Sequence, residues 1–240
     1  MKIFNYFLTI VLILAALSGT AQQQEKKKMP KRTDNFIHMP GLRLGWDISR
    51  PFQGLWTKGD RYGTEFSADL ELKPNLYTAV EAGWEKFKME HDFVDYQSAG
   101  SYFRMGVDYN LLQTDAADQR DIFYAGLRYA FGLANQQVNS YSFDGYWGNT
   151  EGAFAKQNYT SHWVELVLGL KGELLKNFYM GWSIRAKFML AQTSFDIPPV
   201  YFTPGYGKSE SGVALDVSYS VYYTIPFRLK KEAPKTDKNE

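Results

Sequence analysis

From Gly212 to Phe227 the chain alternates. Val213, Leu215, Val217, Tyr219, Val221, Tyr223, Ile225 and Phe227 fill the odd positions, all apolar. The even positions from Gly212 through Thr224 are small or polar, apart from the amphipathic Tyr222. Side chains alternate sides along a strand, so the pattern predicts one long strand with an apolar and a polar face. It outruns the about five or six residues of a typical soluble strand and can cross a bilayer at a tilt.

Earlier segments repeat the design: Leu42–Ile48, Tyr62–Leu72, Leu76–Trp84, Phe103–Leu111, Phe123–Leu133, Val164–Leu174 and Phe178–Leu190. No charged residue falls on their apolar faces. The connections alternate in length. Lys73-Pro74-Asn75 and Lys176-Asn177 predict tight turns and Gln113 to Arg120 a modest one, whereas 54–61, 87–100, 134–161 and 192–211 read as long loops. Short turns at one end and long loops at the other mark bacterial outer-membrane barrels, whose turns are periplasmic. The expected fold is therefore all-β, an eight-stranded antiparallel up-and-down transmembrane β-barrel with a filled polar interior, over residues 41–228. An even strand number leaves both termini periplasmic.

Alternation alone does not say which face is inside. The apolar face carries about forty residues, many of them Leu, Phe and Trp, more than the narrow interior of eight strands can hold. The polar face carries a glycine in each segment: Gly45, Gly63, Gly83, Gly106, Gly126, Gly169, Gly181 and Gly212. Glycine weakens a strand but relieves crowding inside a narrow barrel. The apolar face is thus expected to meet lipid. The interior would then hold a structural charge network of Arg43, Asp47, Glu65, Asp69, Glu81, Arg104, Asp108, Arg128, Glu165, Lys171, Arg185 and Asp216. Buried charges must pair, because unpaired ones cost several kcal/mol each.

The ends read differently. Residues 1–21 carry Lys2, an apolar run from Phe7 to Leu17 and small residues at Gly19 and Ala21, a secretory signal. Residues 22–40 are polar and Lys-rich, a flexible periplasmic leader, and 229–240 form a charged periplasmic tail. The mean hydropathy of −0.38 does not oppose a membrane protein, because a barrel strand hides its apolar half in alternation. Aromatic residues make up 17%, with many Tyr and Trp, the residues favoured at membrane–water interfaces. The absence of cysteine excludes disulfides, thiolate metal sites and a Cys nucleophile. The formal net charge of +1 gives no basis for nucleic-acid binding.

Candidate chemistry is sparse. His91-Asp92, with Asp95 near by, would form an acid–base pair at a barrel mouth, with only Asp144 available as a second carboxylate. His162 lies on the lipid-facing parity, but position 164 is Val where a surface lipid hydrolase needs a serine. Neither pattern supports a catalytic assignment, and no cofactor or metal site is expected. The long loops carry aromatics, and Tyr141, Phe143, Tyr146, Trp147, Tyr201 and Phe202 form a candidate interaction surface.

Three stretches carry a family resemblance: Gly41-Leu42-Arg43-Leu44-Gly45-Trp46-Asp47-Ile48-Ser49-Arg50-Pro51, Ser98 through Asn110, and Gly126-Leu127-Arg128-Tyr129. With the closing Ser220 to Phe227, the chain resembles an uncharacterised family of small outer-membrane β-barrel proteins from Bacteroidota, known as a domain of unknown function. The resemblance implies the barrel and an outer-membrane location, and no activity or functional residue. The expected role is non-enzymatic, structural or surface-interacting, with outer-membrane lipid around the barrel and an envelope protein or extracellular ligand at the loops. An outer-membrane enzyme acting on lipid or peptide at the mouth, and a narrow channel, are the alternatives.

Overall fold

The computed structural model describes residues 41–56, 60–91, 93–112, 121–145, 148–209 and 212–226. The signal, leader and tail assigned above lie outside the described residues, as do His38, Asp92, the 113–120 connection, Tyr146, Trp147 and Phe227.

In chain order the elements are β1 (Gly41–Asp47), α1 (Ser49–Trp56), β2 (Arg61–Lys73), β3 (Leu76–His91), β4 (Val94–Asn110), β5 (Ile122–Gly145) and β6 (Gly148–Leu175). They continue with β7 (Phe178–Gln192), the short β8 (Phe202–Thr203) and β9 (Gly207–Lys208), and β10 (Val213–Pro226). The eight long strands form one closed antiparallel barrel in which β1 pairs with both β2 and β10. Leu42 stands opposite Ile225 on one side and Leu70 on the other, so the barrel has no free sheet edge at this level.

At one end the hairpins are tight, and two share a device. Glu71 accepts the backbone N–H of Asn75 at 3.1 Å, and Glu173 accepts that of Asn177 at 2.7 Å. Each asparagine has positive φ (67° and 66°), which Asn tolerates better than most residues, and each turn follows a register shift. The sequences Glu71-Leu72-Lys73-Pro74-Asn75 and Glu173-Leu174-Leu175-Lys176-Asn177 thus encode the same turn twice.

The apolar positions of every barrel strand face outward. Leu166, Leu168, Ile184 and Val217 are about half exposed, while the intervening Glu165, Arg185 and Lys187 are buried. Polar side chains therefore fill the interior and hydrocarbon covers the wall, the inverse of a water-soluble barrel.

At the loop end, residues 87–91, 94–100, 134–145 and 148–161 are strand rather than the expected loops. β3 and β4 stay paired as far as His91 and Val94, and β5 and β6 as far as Gly145 and Gly148. Above the rim these strands form a four-stranded wall, in which β5 runs four residues, about 13 Å at 3.3 Å per residue, beyond its last pairing with β4 at Tyr141. The alternation inverts there. Phe87, Met89, Val94, Tyr96, Val138 and Phe154 pack on the inward face, and Lys86, Lys88, Gln97, Asn135, Gln137 and Asn158 take the outward parity. An apolar-outward pattern stops at the rim while the pairing continues.

The first loop also differs from expectation, since 49–56 form a short helix. Asp47 starts it by accepting the backbone N–H of Ser49 at 2.8 Å and its hydroxyl at 2.5 Å, and Pro51 is tolerated in the first turn. Gly212 does not line the interior. It turns with φ +63° and its Cβ direction meets open space, so its glycine serves the bend before β10.

Candidate functional site

Strand parity brings the interior charges into tiers. The floor, near the tight turns, is Asp69 between Arg43 Nη1 (3.0 Å) and Lys171 Nζ (2.6 Å). Tyr179 lies under the Arg43 guanidinium at 4.8 Å, and Tyr124 and Tyr222 flank the Lys171 ammonium at 4.8 and 4.9 Å. Desolvated cations over aromatic faces gain substantially from the ring quadrupole.

The middle tier is a branched network. Arg104 reaches Glu65 (2.8 Å), Glu81 (3.0 Å) and Glu165 (2.9 Å), and Arg185 bridges Glu65 (2.9 Å) and Glu81 (2.8 Å). Arg128 joins Glu81 to Asp108, each at 3.0 Å. Shared carboxylates hold several guanidinium groups at once, so each added contact orders less free side chain than an isolated pair would.

The upper tier depends on two loops folded into the mouth. α1 inserts Arg50, whose Nη2 lies 2.5 Å from Asp216, with Glu85 at 3.5 Å and Asp47 and Glu65 at 3.6 Å. Lys187 also meets Asp216 at 2.7 Å, and Arg61 closes on Glu85. From the last loop Gly205 enters between them. Its N–H donates to Glu85 (2.7 Å), and its carbonyl accepts from Lys187 (2.7 Å) and Arg104 (2.9 Å). With φ +80° and the Tyr102 ring 2.5 Å from where a Cβ would sit, position 205 admits only glycine without rearrangement. Tyr206 then packs edge-on against Trp163 at 5.8 Å.

Among the described residues the buried charged side chains divide evenly, seven cations and seven carboxylates. A lumen of paired charges, floored by tyrosines and stoppered by Arg50 and Gly205, presents no ring of one sign to draw an ion through. The geometry suits a rigid plug rather than a conduit.

Above the plug, loop residues Tyr201 and Phe202 dock on the inward face of the wall. Phe202 stacks on Phe87 at 4.3 Å, and its carbonyl accepts from Ser98 (3.0 Å) and Tyr159 (2.8 Å). Phe202 is therefore buried, which removes it from an exposed surface: the loop needed an apolar anchor inside the cap. Tyr201 is half-buried beside Tyr96. Higher on the wall Tyr141 stacks on Phe154 at 5.2 Å, and Phe143 beside it is exposed.

Of the candidate acid–base groups, Asp92 and the Asp144 side chain lie outside what the structure describes. His91 ends β3 in the open, and Asp95 accepts a hydrogen bond from Asn139 at 2.9 Å. His162 Nδ1 lies 2.6 Å from the Tyr129 hydroxyl, and its ring rests on Phe131 on the outer wall.

A family model described as Domain of unknown function (DUF6048) matches residues 3–231. The chain belongs to that family. Among curated proteins none matches it. Among solved structures, the DUF6048 chain is similar to Neisserial surface protein A (NspA), with a TM-score of 0.39, 10% identity, and 79% of this chain and 96% of that one covered. It is also similar to Ail, the attachment invasion locus protein of Yersinia pestis (TM-score 0.34, 9% identity, 77% and 96% covered). The barrel itself rests on the strand pairing above.

Each residue of the sequence-derived network occurs in one of the tiers. Arg50 and Arg61 were missed, because both precede or follow strand alternation and gave no parity to read. The only available signal for Arg50 is a lone arginine between the apolar Ile48 and Phe52 in a mouth loop.

Proposed function

We propose that this DUF6048 protein sits in a bacterial outer membrane with both termini periplasmic, plugged and non-conducting, and serves a structural or surface-interaction role without enzymatic chemistry. One observation carries the reading: the outward face is hydrocarbon up to a common rim and polar above it. Only a medium that changes from lipid to water at that level suits both halves. The wall, standing clear of the rim with Tyr141 and Phe143 near its tip, is the part placed to meet an envelope protein or an extracellular ligand. A buried ion network with a glycine-locked stopper rigidifies the support for that wall.

A photo-crosslinking residue placed at Phe143 in live cells tests the role. The expected result is a discrete protein or glycan adduct at 143 that a crosslinker at Leu166 does not give. Identical adduct patterns from both sites, or none at 143, would remove the wall tip as a contact surface.

A further inference from the structure

Strand register arranges the outward face of the wall in rows. At the rim Trp84 stands opposite Ser101, Ser101 opposite Leu133, and Leu133 opposite Thr160. The next row is Lys86, Ala99, Asn135 and Asn158, and the one above pairs Lys88 with Gln97 and Gln97 with Gln137. Lys156 is exposed in the bulge between Gln157 and Phe154, next along β6 from this row. We propose that this face holds the phosphorylated saccharide of an outer-leaflet glycolipid, with Lys86 and Lys156 taking its phosphates and the amide rows its hydroxyls. The proposal rests on the membrane placement above and names the molecule at that boundary.

Three observations support it. The rows continue the lipid-facing surface of the same strands, so a lipid whose chains cover Phe131 and Leu133 brings its headgroup against Asn135 and Asn158. The charges are complementary: Lys86 and Lys156 are exposed with no carboxylate partner among the described residues, whereas Lys88 pairs with Glu90. Of the acids near this face, Asp60 stands beside Lys88 at its β2 edge, and Glu90 and Asp95 lie two rows above Lys86, where Asp95 is engaged by Asn139. Finally, asparagine is depleted from strands, where Thr or Val fits better, and a merely solvated face has no need of it. Amides supply both a donor and an acceptor, the pairing a sugar hydroxyl requires, and lysine supplies point charge for phosphate.

The test uses the full-length folded protein and purified lipopolysaccharide as the probe. Wild type, K86E/K156E and the charge-neutral N135A/N158A are exchanged into fresh detergent, and retained lipopolysaccharide is quantified beside phosphatidylglycerol. Wild type should retain about fivefold more lipopolysaccharide than K86E/K156E, the loss expected from two exposed charge contacts. N135A/N158A should also retain less, and added deacylated saccharide should displace the bound glycolipid. Equal retention by all three, or retention of phosphatidylglycerol at the same level, would overturn the assignment. Failure of the membrane reading is seen separately, as a wild-type protein that gives no heat-modifiable folded band in any bilayer. Should K86E/K156E fail to give that band, N135A/N158A alone decides.

Discussion

Arg104→Ala should destabilise the barrel by roughly 3–5 kcal/mol, the loss typical when one partner is removed from a buried ion network. The Arg104 guanidinium is fully buried, lies within 3.0 Å of carboxylates from Glu65, Glu81 and Glu165, and holds the Gly205 carbonyl of the stopper. Truncation leaves negative charge without a counterion in a lumen that water enters poorly. Arg185 and Arg128 still reach Glu65 and Glu81, but Glu165 keeps the Trp163 indole N–H at 2.6 Å and, as its nearest ion pair, Arg185 at 4.0 Å. Arg104→Lys should recover part of the loss, because one ammonium cannot serve three carboxylates in a planar fork. Lys88→Ala, which removes an exposed ion pair with Glu90, should leave the midpoint unchanged. Denaturant unfolding in detergent micelles, followed by gel migration without heating, reads all three.

Leu166→Arg should cost about 2–4 kcal/mol, the penalty for a cationic side chain on the lipid face near the bilayer midplane. Leu166 stands midway up the barrel on β6, below the rim and opposite Leu127, with further leucines at 168 and 170 on the same face. In a water-soluble protein a side chain that is 53% exposed would accept arginine with little change. Gln137→Arg, on the outward parity above the rim, provides the control and should be neutral. Reversible unfolding from lipid bilayers measures the difference. Equal and small effects at 166 and 137 would mean that water bathes both.

Much of this was legible in the sequence, for a physical reason. Period-two alternation with lipid outside is a strong signal, and Val213 to Ile225 or Tyr62 to Leu72 carry it cleanly. The tight turns were equally plain, since Asn75 and Asn177 sit where positive φ is needed. The wall was not legible, because its strands pass from an apolar to a polar outward surface and exchange faces at the rim. Phe87 and Met89 occupy the parity that Glu81 and Glu85 occupy below, so a search for one continuous apolar face ends at Trp84 although the strand runs to His91. Arg50 and Gly205 were hidden for a different reason. Their roles come from loops that fold back into the mouth, and local periodicity says nothing about such a return.

The placement of lipid is tested most directly by chemical access, which the absence of native cysteine makes clean. Single cysteines at 166, 184 and 217 are exposed to a membrane-impermeant thiol reagent in intact membranes and compared with cysteines at 86, 143 and 156. The wall positions should be modified fully and the belt positions only after the bilayer is dissolved. Modification of 166, 184 and 217 at the same rate as 86, 143 and 156, with the membrane intact, would show that water rather than lipid covers the outer surface.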